Sequence, residues 1–543
     1  MKKILIIAIS IICCSCSSLV MNQGLKSYKS EVAKTEEYKK ANGFQQDLLY
    51  LNDLCENSFP EIDTVFPHQL RESIVDSLIN LLSDSEINKQ IFKGYARYYL
   101  SHFDNEHTRI DGLAATGLYP YFLKSTGEDW YLWDINKEYD SLLIGKQVVK
   151  INNESIDQFE KKLFHYVCAE NDISKRNELR FTNRPSLLKQ YDLIEQTDSI
   201  LLSFENGERA WIKSIYEQKE VHFHLGEKRY KPNAVTEHLD YNYNMTFYPD
   251  ENFAYLQYNK CFDKIDAFET MSDYVNPWIM PFAKLYLKRL IKKKKDPKND
   301  VGFKLDYDRI VFKDYLNLMF DSLQTQNLDN LVIDLRNNGG GSHLLCLQLL
   351  YYLTDREDLK GFSVKYYMSD FNRQIHKSDF NKFVESYRIE NDIDPEYGKL
   401  YPYGYSDYDS LLFEKIEDPK SVYYIPKDRK LFKGKIIVLA NYRTGSAAAL
   451  LTALMQDNNI ATVIGTSVSN NPIGATTYSP FKLPNSKLTG SVSSDYFVRP
   501  NPKNGKIFIP DYWIENNVED IINGKDKYLE KAIELINEEN PLK

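Results

Sequence analysis

The stretch from Lys435 to Met455 restricts the fold of this chain more than any other. Lys435 to Ala440 is a continuous apolar run rich in β-branched residues, the pattern of a strand buried on both faces. Tyr442, Arg443, Thr444 and Gly445 read as a turn, and an alanine-rich helical pattern begins at Ser446. A serine placed there stands over the end of a buried sheet, beside backbone N–H groups that the helix leaves unpaired. Those donors and the positive end of the helix dipole favour a developing oxyanion. The same position equally suits a plain N-cap serine.

A second unit has the same form. Leu331 to Leu335 reads as another two-sided buried strand, Arg336 to Gly341 follows as a turn ending in three glycines, and Leu344 to Leu353 has a helical pattern. In an α/β sheet ligands collect at the carboxyl ends of the strands, so both turns would face one pocket. The triple glycine matches neither phosphate-loop pattern. It suits half of an oxyanion hole, with one N–H from Gly340 and the other from Ala447, or else a tight turn needing positive φ. With Ala461 to Gly465 as a further strand, residues 328–465 predict an α/β layer with parallel strands.

Upstream, leucines and isoleucines recur at helix spacing between Leu19 and Phe103. From Tyr119 to about Ser214 the pattern changes to short alternating strands, and Gly145 to Ile156 reads strand, Asn-Asn turn, helix start, as in a PDZ-like module. Residues 355–430 are polar and read as an insertion between core strands. Lys292 to Lys295 is a charge run broken by Pro297, read as a solvated loop. Length alone, 543 residues, requires several domains, and the net charge of −9 gives no general pull toward nucleic acid.

The chain opens on Met1, Lys2, Lys3 and an apolar run from Ile4 to Ile12, too short to span a bilayer as a helix and read as a secretory signal. Cys13, Cys14, Ser15 and Cys16 follow, resembling a bacterial lipobox with Cys16 as the first candidate for lipidation and Cys14 the second. The other cysteines, Cys55, Cys168, Cys261 and Cys346, are scattered and form no Cys-x-x-Cys pair, which argues against a zinc site or a dense disulfide framework. One or two bridges would suit an oxidising compartment, with the pairing open. His222 and His224 share a strand face without a third ligand, so no metal is expected there. The 40 tyrosines fit a sheet-rich protein or an exposed sugar- or peptide-binding face, and no paired-carboxylate constellation supports glycan chemistry.

Taken together, Asp334 to Gly341, then Thr444 to Ala448, Val463 to Gly465, Phe481 to Ser486, Ile509 to Asp511 and Gly524 to Asp526 resemble the tail-specific (C-terminal-processing) serine peptidase family. The resemblance runs from roughly Asp47 to the C-terminus. It implies an α/β catalytic core with βαβ units of the ClpP/crotonase-like clan, preceded by an N-terminal helical region and a small PDZ-like β domain. The corresponding division is a signal peptide at 1–16, a helical region at 17–118, a PDZ-like domain at 119–235 and a catalytic core at 236–543.

One branch of that family activates its serine with a lysine after the following strand. Here that stretch, Thr466 to Pro472, holds no lysine. The tricorn-like branch uses a histidine in an Asp-x-His-Thr context, which Asp104 to Thr108 resembles with one extra residue, so His107 is the expected general base. His102 is its nearest rival, and His343 is read as a turn residue. Two family acids are missing: the position three residues after Ser446 is Ala449, and the stretch expected to hold the orienting acid is Lys503 to Gly505. Asp104, Glu106 or Asp495 would have to substitute. The expectation is a lipid-anchored serine endopeptidase of the cell envelope acting on polypeptides without a cofactor. The alternative is a weakly active or silent relative that binds peptides or another ligand.

Overall fold

A computed structural model describes residues 26–112, 116–216, 221–225, 241–263, 265–266, 278–281, 311–402 and 408–539. The signal segment, Cys16 and the charge run at Lys292 to Lys295 lie outside the described residues.

The N-terminal part is helical: α1 (Gly43–Ser58), α2 (His68–Leu81) and α3 (Lys89–Ser101) pack around Leu48, Leu51, Phe59, Phe92 and Tyr99. Asn42 opens α1 with a capping box, accepting from the Phe44 and Gln45 N–H groups while the Gln45 side chain returns to the Asn42 N–H. After α3 the chain turns at Asp104 and enters the two-residue strand β1 (Arg109–Ile110). Next comes an antiparallel sheet of β2 (Tyr121–Thr126), β3 (Asp129–Ile135), β4 (Gln147–Ile151), β5 (Ser199–Phe204) and β6 (Arg209–Lys213), in that spatial order. Helix α4 (Ile156–Phe164) buries Ile156, Phe159 and Leu163 in the core of this unit, beside Trp130, Leu132 and Ile200. Phe223 bridges back to Asn136, and the His224 ring bonds the Tyr139 carbonyl at 2.9 Å.

The central sheet comprises β7 (Tyr243–Tyr248), β8 (Phe253–Tyr258), β9 (Asn330–Asp334), β12 (Lys435–Ala440), β13 (Thr462–Gly465) and β18 (Tyr512–Trp513). All neighbours are parallel except β7, which pairs antiparallel with β8. The continuous apolar runs arise because both faces are covered. Leu331, Ile333, Ile436 and Val438 face a core shared with α5 (Phe312–Gln326), α6 (His343–Leu353) and α7 (Ser446–Asp457). Their neighbours Val332, Ile437 and Leu439 face the other way, onto Tyr528, Leu529, Ala532 and Leu535 of the last helix, α8 (Lys527–Glu539). Every residue of α6 is buried, as its all-round apolar sequence requires.

Residues 355–430 are more than an insertion. Two of their strands, β10 (Ser363–Tyr367) and β11 (Leu400–Pro402), join β14 (Gly474–Thr476) and β17 (Asp495–Val498) in a four-stranded antiparallel sheet ordered β11-β10-β17-β14. The period-two pattern is obscured there because only Tyr366 and Tyr367 of β10 are buried. A fourth sheet joins β15 (Ser479–Lys482), β16 (Thr489–Val492) and β1, with Arg109 opposite Ser491 and Ile110 opposite Gly490. Among the described residues no helix is long and apolar enough to cross a membrane.

Several of the family-like motifs are architectural. Arg336 spans the buried carboxylates of Asp334 and Asp526, with Nη2 2.8 Å from Asp334 Oδ2 and Nη1 2.7 Å from Asp526 Oδ1. Asp511 Oδ2 accepts the Val463 N–H at 2.7 Å. Asp47 of α1 accepts the Asn485 and Ser486 N–H groups at 2.8 and 2.6 Å, fixing the β15–β16 turn to the helical region.

Candidate active site

The two strand-turn-helix units meet at their turns. The Gly445 N–H donates to the Asn338 carbonyl at 2.8 Å and the Thr444 hydroxyl to the Leu335 carbonyl at 2.9 Å. Gly445 is the N-cap of α7, so Ser446 is its first helical residue rather than its cap. Ser446 has φ 46°, a left-handed conformation that costs a non-glycine residue roughly 1–3 kcal/mol and persists only where its surroundings impose it. Its N–H donates to Asn470 Oδ1, and among the described residues no hydrogen bond engages its hydroxyl.

Gly340, at φ 97°, lies directly against this turn. A Cβ there would stand 2.6 Å from Ser446 Cβ and 2.9 Å from the Ala447 nitrogen, so only glycine allows the approach. The Gly340 N–H, expected to face an oxyanion, instead donates to Asn338 Oδ1 at 2.9 Å. The Ala447 N–H belongs to the first turn of α7, where helix donors have no partner within the helix.

His107 sits in the loop between α3 and β1. Its carbonyl accepts from the Ser491 hydroxyl, Asn105 Nδ2 donates to the Ala475 carbonyl at 2.8 Å, and Ser493 donates to Asn105 Oδ1 at 2.8 Å. These bonds hold the loop against the β15–β16 hairpin and the segment after β13. The His107 Nδ1 is buried without a hydrogen-bond partner among the described residues. Burial lowers the imidazole below its ordinary pKa, Glu106 opposes this and Arg109 adds to it. A lowered pKa leaves the ring neutral near pH 7, as a general base requires. No hydrogen bond joins His107 to Ser446 in this conformation.

The link between the two loops is Asn470, from the stretch where the lysine branch would carry its base. Its Oδ1 takes the Ser446 N–H, and its Nδ2 lies 3.0 Å from Glu170 Oε1 and 3.3 Å from Glu106 Oε2. Glu170 also accepts the Asn471 N–H and, at 3.3 Å, Asn105 Nδ2. Burial pushes its carboxyl up to about 8, against the lowering effect of its hydrogen bonds to Asn470 and Asn471. Neither Asn470 nor Glu170 stands out in the sequence. The two adjacent asparagines following the Thr462–Gly465 strand are the only local hint, and Glu170 belongs to no pattern.

The other expected residues have separate positions. Asp104 is exposed and pairs with Lys175 at 2.7 Å, whereas Glu106 shares the Asn470 amide. Asp495 lies on β17, where it accepts from Thr477 at 2.7 Å and burial raises it to about 6. His102 is stacked on Phe66 at 5.0 Å and bonds the Tyr98 carbonyl, inside the helical core. Ala449 is buried in the core under α7. Asn504 bonds Asp457, the last residue of α7, about 17 Å of helix from Ser446 at 1.5 Å per residue. Position 504 therefore supports the far end of the serine helix.

A polar cavity of about 440 Å³ opens beside the serine turn, walled by Gly339, Arg443 and Ser469 on the core side and by Glu106, Arg109 and Arg97 on the helical side. A second, of about 540 Å³, lies between the small sheet and the carboxyl ends of β9 and β12, lined by Phe122, Lys124 and Trp133 and by Arg336 and Asn441. Asn337, Tyr442 and Arg443 line both, so the cavities adjoin. Among the described residues no group of three His, Cys, Asp or Glu side chains could hold a metal ion.

Residues 309–512 match the model of peptidase family S41. Among solved structures, mature CPAF is similar over 92% of this chain and 98% of its own, at 15% identity and a TM-score of 0.57. Mature CPAF complexed with lactacystin is similar over 91% and 98%, also at 15% and 0.57. The photosystem II D1 C-terminal processing protease is more distant, at 12% identity and a TM-score of 0.36. At such identities the likeness is one of fold. No curated protein matches the chain in sequence.

Proposed function

From a chain that belongs to peptidase family S41, we propose a serine endopeptidase of the cell envelope, lipid-anchored through Cys16, in which Ser446 attacks a peptide carbonyl and His107 is the base. The observation that carries this reading is the Asn470 bridge. One side chain takes the Ser446 N–H and donates to Glu106, the residue next to His107. The neutral His107 takes the hydroxyl proton as Ser446 Oγ bonds the carbonyl carbon, and returns it to the leaving amine. The Ala447 N–H faces the oxyanion, and the Gly340 N–H joins it on leaving Asn338. Water then hydrolyses the acyl-serine by the same route in reverse. The small sheet at β2 to β6, with the cavity beside it, serves as the PDZ-like unit that presents an extended polypeptide to Ser446.

A silent, peptide-binding relative is the second reading. It is favoured by the Gly340 N–H already bound to Asn338 and by the unpartnered His107 Nδ1. A fluorophosphonate probe separates the two. Labelling of the wild-type chain, lost in Ser446→Ala and reduced by a factor of a hundred or more in His107→Ala, is the expected result. Undiminished labelling of Ser446→Ala would remove the serine assignment.

A further inference from the structure

Four cysteines lie among the described residues, and two of them meet beneath the serine turn. Cys261 follows β8 and Cys346 lies in the first turns of α6, and their Sγ atoms are 3.2 Å apart with both side chains fully buried. We propose that Cys261 and Cys346 are a disulfide-forming pair, a covalent tie under the glycine loop that the oxidised protein carries.

The backbone already aligns the pair. Cys261 is bridged to Gly341: its N–H donates to the Gly340 carbonyl at 3.0 Å, and its carbonyl accepts the Ser342 N–H at 2.7 Å. A Cβ at Gly341 would fall 2.2 Å from the Cys261 oxygen, so the loop sits tightly on this residue. The Cys261 sulfur also contacts Asn338 Oδ1 at 3.5 Å, the oxygen that holds the Gly340 N–H. The Cys346 sulfur lies 3.4 Å from the Ala447 carbonyl. A disulfide needs about 2.05 Å between sulfurs, so an approach of roughly 1 Å closes the bond. Cys55 and Cys168 lie apart from this pair, in the helical region's core.

The oxidant is an external low-molecular-weight disulfide. One cysteine thiolate attacks it, giving a mixed disulfide and releasing one thiol. The second thiolate then displaces the other thiol and completes the Cys261–Cys346 bond. Two protons and two electrons pass to the reagent, which leaves as two thiols. Because both sulfurs are enclosed in the finished fold, the exchange takes place while the chain folds. The bond closes a loop across β9 and the glycine turn, and its gain in stability comes from the restricted unfolded chain. None of this depends on whether the protein cleaves peptides.

The test refolds the full chain from denaturant with oxidised and reduced glutathione, and in parallel with dithiothreitol. Each sample is then denatured, alkylated with iodoacetamide and mapped by mass spectrometry. In the glutathione sample the expected result is a linked peptide pair containing Cys261 and Cys346, 2 Da lighter than the two thiol peptides. That sample should also melt several degrees higher than the dithiothreitol sample, and the difference should vanish in Cys261→Ala/Cys346→Ala. Alkylation of both Cys261 and Cys346 after oxidative refolding, or linkage of either to another cysteine, would overturn the proposal.

Discussion

Ser446 and Asn470 show how much of the candidate site depends on single side chains. A serine at φ 46° is held against its conformational preference by Gly340 on one side and by the Asn470 acceptor on the other. Removing that acceptor in Asn470→Ala frees the Ser446 N–H and separates Glu106 and Glu170 from the serine turn. The fluorophosphonate labelling rate should fall by about tenfold or more, equivalent to a lost hydrogen bond to a constrained donor. The pH dependence follows from His107. Burial lowers its pKa, so the neutral, proton-accepting ring persists to more acidic pH than in an unperturbed histidine. The labelling rate should therefore rise with pH through a midpoint below 6.5 and be flat above it. A midpoint at or above 6.5 would contradict the environment assigned to the ring. The serine and the glycines were legible because local sequence fixes a strand, a turn and a helix start. Glu170 was not, since its role arises only where residues 105, 470 and 471 converge. Among the acids considered for His107, Asp104 and Glu106 are equivalent in sequence, and only the turn at Asp104 sends one to Lys175 and the other to Asn470.

At the scale of elements, the parallel strands were readable because burial on two faces demands unbroken apolar runs. The four-stranded sheet was not, because β10 and β11 are short and half-exposed, and their partners β14 and β17 lie far along the chain. The Asp334 to Gly341 stretch also joins two separate jobs. Its glycines shape the serine turn, while Arg336 ties β9 to the start of α8 through Asp334 and Asp526. Replacing Arg336 by alanine leaves two buried carboxylates without their cation. That should lower unfolding stability by about 3–5 kcal/mol in a denaturant titration, the usual cost of stripping one partner from a buried ion cluster.

Across the whole molecule, the proposed base and nucleophile belong to different bodies. The helical region carries His107, and the central sheet carries Ser446. They are joined through β1 on the β15–β16 hairpin and through Asp47 on the turn of that hairpin. Asp47 is wholly buried and accepts both turn N–H groups, so Asp47→Ala should cost about 2–3 kcal/mol and weaken labelling more than stability alone explains. Measuring labelling well below the melting temperature separates the two effects: an unchanged rate there would show that the hairpin anchors the fold without placing His107. The Asn485–Ser486 motif was visible in the sequence, but its partner on α1 lay more than four hundred residues away and no periodicity links them.

The two-residue strand β1 also has a meaning in time. Ribosomes deliver the helical region before the β15–β16 hairpin, so β1 has no partner until residues 479–492 have emerged. On the proposed roles, a nascent chain that stops short of this hairpin lacks the strand pairing that joins the two halves of the catalytic pair.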